Sequence, residues 1–82
     1  MELNRYMIDN ALVLASSKTY AMERSLVIIL PDGETQPLIS IIQYQNDRVI
    51  FISNRCNYQE YNEDNATILG DVISLTYSFS NI

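Results

Sequence analysis

The chain has 82 residues, 48% hydrophobic and 18% charged, with ten Asp/Glu against five Lys/Arg for a formal net charge of −5. That length allows one domain, 1–82, and not two, and the apolar content excludes a disordered chain. The acidic balance argues against direct nucleic-acid binding, which needs Lys and Arg to neutralise phosphates, and against docking on an anionic membrane surface.

The N-terminal quarter supports two readings. Leu3, Tyr6, Met7, Ala11 and Leu14 fall near one helical face, and Asp9 could cap a helix beginning at Asn10. In the other reading Tyr20, Met22, Leu26, Ile28 and Leu30 share one parity, so that 19–30 is a long strand paired with 5–15 across Ser16-Ser17-Lys18. Ser25 to Leu30 is a dense Leu/Val/Ile run suited to a strand buried on both faces. Pro31-Asp32-Gly33-Glu34 supplies turn chemistry, Pro37 to Gln45 a second strand, Asn46-Asp47 a tight turn and Arg48 to Ser53 a third strand. Asn54 to Asn65 is polar and loop-like, with room for one helical turn. From Asp71 to Ser80, Ile73, Leu75, Tyr77 and Phe79 alternate with Ser74, Thr76, Ser78 and Ser80, the period of a strand with one buried face. The principal expectation is α+β, an N-terminal helix packed on a four-stranded antiparallel sheet; the alternative is an all-β meander or small barrel.

The residues that are missing narrow the chemistry. With no histidine there is no Ser-His-Asp or Cys-His arrangement, and with one cysteine, Cys56, there is no internal disulfide and no single-chain zinc finger. Gly33 and Gly70, the two glycines, are too far apart for a phosphate loop. Paired carboxylates from Glu60, Glu63, Asp64 and Asp71 could in principle support acid–base work or hold a metal. However, Asn62-Glu63-Asp64-Asn65 lacks the spacing, central glycine and terminal Glu of a calcium loop. The sequence therefore predicts a non-enzyme without cofactor or metal. The lone thiol suits a reducing compartment, and the apolar runs fall far short of the about 20 residues of a membrane span. Glu2 and Asp9 around Arg5 make a poor secretory signal. A cytoplasmic location follows as the expectation.

Charge is uneven. Residues 1–55 carry Glu2, Asp9, Glu23, Asp32, Glu34 and Asp47 together with every Lys and Arg, whereas 56–82 carry Glu60, Glu63, Asp64 and Asp71 with none. Tyr58 and Tyr61 stand among these acids. Tyrosine offers a rigid apolar face at low entropic cost, and carboxylates pair with Arg or Lys on a partner. Tyr58, Glu60, Tyr61, Glu63 and Asp64 are the candidate partner-binding residues. They predict a small inhibitor or regulator that occludes a basic surface of a larger protein, a nucleic-acid-binding surface being one such target. Its Asn-, Ile-, Tyr- and Ser-rich composition resembles in type the short acidic anti-defence and immunity proteins of phage and mobile elements. The alternative is a structural or assembly protein that homodimerises through its C-terminal strand, whose polar face lacks the charges that usually guard an edge.

Overall fold

The computed structural model describes residues 2–20, 22–53 and 60–77. They form seven strands and, among the described residues, no helix: β1 Leu3–Ile8, β2 Ala11–Ser16, β3 Leu26–Pro31, β4 Leu38–Gln45, β5 Arg48–Ile52, β6 Glu60–Asn62 and β7 Ala66–Tyr77. All pairings are antiparallel, in one curled sheet of order β1-β2-β7-β3-β4-β5-β6.

The expected N-terminal helix is wrong, and the cause lies at Asp9-Asn10. Both residues have positive φ, 49° and 67°, the geometry of a two-residue hairpin turn whose twist matches the flanking strands. The apparent cap is a turn, and Leu3 to Ile8 pair with Ser16 to Ala11. The sheet is all-β, as the alternative held, but its expected pairing is also corrected. β2 lies between β1 and β7, not beside β3, and residues 19–20 and 22–25 are not strand. The β3-β4-β5 meander falls where the sequence placed it. Its Asn46-Asp47 turn repeats the positive-φ pair, at 49° and 65°.

β7 joins the two parts of the sheet. Its first half, Ala66 to Asp71, pairs with β3, and its second half, Asp71 to Tyr77, pairs with β2. Each pairing contains a register shift. Leu69 is the extra residue opposite Ile28/Ile29, and Ile73 the extra residue opposite Leu14/Ala15. A bulge bends the strand and raises its local twist, so β7 can leave β3 and follow β2. The bulge also breaks the alternation read from Ile73, Leu75 and Tyr77: Leu75 and Tyr77 lie opposite the inward residues Val13 and Ala11, while Ile73 is displaced from their face and exposed. At the changeover a Cβ on Gly70 would run into the Ser16 carbonyl oxygen and lie 3.3 Å from the Ala15 Cβ, so this crossing requires a residue without a side chain.

Two apolar clusters result. Val27, Ile29, Leu38, Ile42, Phe51 and Ala66 fill the curl of β3–β6 with the start of β7. Ile8, Ala11, Val13 and Ala15 of the first hairpin pack against Ile28, on the opposite face of β3. β3 is thus buried on both faces, with Val27, Ile28 and Ile29 fully enclosed, as its unbroken apolar run requires.

Candidate functional site

Where β7 parts from β3 a groove of about 550 Å³ opens. Ile8 of β1 and Leu75 and Tyr77 of β7 form one wall; Leu26, Ile39, Ile41 and Ile52 of β3–β5 form the other. The lining is apolar because registered neighbours share a face. Leu26 lies opposite Ile41, Ile41 opposite Ile52, and Ile52 opposite Glu60. The row thus runs from apolar residues to an exposed carboxylate. Asp9, at the hairpin turn, is the charged residue of the lining, and no Lys or Arg lines it among the described residues. Val72 to Tyr77 border this opening and are paired with β2 alone, so one side of this stretch of backbone has no ladder partner among the described residues. β7 is central in the sheet order, contrary to a simple edge strand, yet its second half has one strand neighbour.

The acidic turn has its own local logic. The Asn65 side-chain oxygen accepts from the Asn62 amide at 2.8 Å, and the Asn62 side-chain oxygen accepts from the Asp64 amide at 2.8 Å. These side-chain clamps fix the tight turn and leave Glu63 and Asp64 exposed. Asp64 meets Arg48 at 3.3 Å, with both side chains largely in solvent, a pair of small energetic weight. The Asp32 amide donates to the Asn65 carbonyl oxygen at 2.9 Å, which brings the exposed Asp32 and Glu34 beside this turn.

Of the residues expected from sequence, Glu60, Glu63 and Asp64 are exposed and lie on β6 and the turn that follows it. Tyr61 instead turns back: it sits opposite Phe51 and packs on the first cluster, half-buried. Tyr58 lies outside the described residues, as does Cys56. Sequence reading missed Asp32 and Glu34, which looked like plain turn residues, and missed the whole groove. The parity of Leu26, Ile28 and Leu30 against that of Ile39 and Ile41 was the available signal. No group of three His, Cys, Asp or Glu side chains suited to a metal occurs among the described residues, and no helix among them is long and apolar enough to cross a membrane. Comparison with protein-family models, curated proteins and solved structures finds no match.

Proposed function

We propose that this chain is a protein-binding inhibitor or regulator whose partner presents an extended, apolar and basic segment. The observation that carries this reading is the groove: apolar walls, an acidic residue and no cation in its lining among the described residues, and a half-paired strand along its border. An extended chain added beside Val72–Tyr77 would form main-chain hydrogen bonds there and place alternate side chains in the groove, the logic of β-strand addition. Glu60, Glu63 and Asp64, with Asp32 and Glu34, supply the negative field that favours a Lys/Arg-bearing partner and speeds its encounter. Where such a partner uses its basic surface for nucleic acid, occupancy by this chain competes with phosphate. A phage or mobile-element setting suits such a role.

A tagged pull-down compares wild type with Ile41→Lys and with Glu63→Lys/Asp64→Lys. Ile41 is 41% exposed, so the lysine is tolerated by the fold while it spoils the apolar wall. One stoichiometric basic protein captured by wild type and lost with Ile41→Lys supports the reading. Equal capture by all three forms contradicts it.

A further inference from the structure

Beyond that reading, the opposite surface of the first hairpin is an apolar sheet face with nothing packed on it among the described residues. Register puts Met7 beside Leu12 and Leu12 beside Thr76, and Arg5 beside Leu14 and Leu14 beside Ser74. The face is completed by Leu3 and by Ile73, which the bulge turns outward. Leu3, Met7, Leu12 and Ile73 are exposed by 48, 64, 44 and 51%. The inward residues of the same strands, Ala11, Val13 and Ala15, are almost wholly enclosed, so both faces of this hairpin are apolar and one is covered. A contiguous apolar patch of this kind marks an interaction surface.

We infer that a second copy of this chain covers this face, making a symmetric dimer with β1, β2 and the bulged half of β7 of each copy packed together. Charge selects the occupant. The molecule carries −5, yet this face is balanced: Leu3 lies beside Ser16 and Ser16 beside Asp71, so the charged side chains among these registered neighbours are Arg5 and Asp71, one of each sign. The acidic turns 31–34 and 62–65 join β3 to β4 and β6 to the start of β7, away from the half of β7 that pairs with β2. A basic partner drawn by the field is drawn to those turns, away from this face. Two equally acidic copies meet with least repulsion here, where apolar residues can face their own symmetry mates in the self-complementary contact of a two-fold dimer. Three strands abreast, two of them six residues long and so about 20 Å, give a contact at the small end of stable interfaces. The dimer is therefore weak and concentration-dependent. The C-terminal strand takes part through its outer face, by Ile73, Ser74 and Thr76, and not through a free edge.

Sedimentation equilibrium over the micromolar-to-millimolar range tests this with wild type, Leu12→Lys and Met7→Lys. Lysine makes the chain less negative, so a loss of association cannot be assigned to added acidic repulsion. Both sites are exposed, and circular dichroism verifies the fold of each variant; Leu12→Ser serves as a third, uncharged variant. The expected result is a wild-type mass rising with concentration from 9.4 kDa towards twice that value, persisting in high salt, with each variant held at the monomer mass. A wild type that stays monomeric throughout, or a dimer that survives these variants, overturns the inference.

Discussion

The backbone amide of Asp32 donates to the carbonyl oxygen of Asn65 at 2.9 Å, and this bond ties the β3–β4 turn to the turn that leads from β6 into β7. Two acidic turns far apart in the chain therefore present one field. Charge reversal at either, Glu34→Lys or Glu63→Lys, is expected to slow association with the basic partner severalfold while changing dissociation little, as rim charges do. Surface plasmon resonance at two salt concentrations measures both rates. Loss of the on-rate effect at high salt identifies it as electrostatic.

Gly70 is a point where the fold has no slack. Gly70→Ala places a methyl group against the Ser16 carbonyl, which is backbone and cannot rotate away. We expect a loss of about 1–3 kcal/mol, the scale of overpacking, read as a lower denaturation midpoint. At Gly33 a Cβ would meet nothing within 4 Å, but the residue holds φ +81°. Gly33→Ala is expected to cost about 1 kcal/mol from conformation alone, and Gly33→Asn less.

Ser40 shares its face with Leu38 and Ile42, and its hydroxyl is buried without a hydrogen-bond partner. An unsatisfied buried group of this kind carries a desolvation cost of about 1–3 kcal/mol. Ser40→Ala is expected to leave stability unchanged or raise it by up to about 1 kcal/mol, as measured by urea denaturation. A clear destabilisation would show that the hydroxyl has a partner in solution.

Tyr61 and Asp64, close in the sequence, respond differently. Tyr61→Ala opens the first cluster and is expected to cost about 2 kcal/mol, less than a fully buried aromatic because the side chain is half-buried. Asp64→Asn breaks only the exposed pair with Arg48 and is expected to shift stability by less than about 0.5 kcal/mol. Thermal melts of both variants check the contrast, which also makes the Asp64 variant the cleaner probe of binding.

Much of the meander was legible because its signals are local. Asn46-Asp47 and Pro31-Asp32-Gly33-Glu34 name their turns, and the run from Ser25 to Leu30 names a doubly buried strand. Asp9-Asn10 was not legible in the same way, since Asp serves both as a helix cap and in a positive-φ turn. The choice is made by pairing with β7, more than fifty residues away. The bulges at Leu69 and Ile73 leave no mark in the alternation, so the sequence could not reveal that β7 changes partner or that a groove opens there. Of the expected site, exposure of Glu60, Glu63 and Asp64 followed from their charge. The fate of Tyr61 depended on its register with Phe51, which no local pattern encodes.

Hydrogen exchange on the captured complex, compared with the free chain, tests the central claim most directly. Binding of an extended segment in the groove predicts new protection of amides within Val72–Tyr77, which have β2 as their one strand neighbour in the free chain, together with Leu26 and Ile41 on the opposite wall. Unchanged exchange through 72–77, with protection confined to other surfaces, would contradict it.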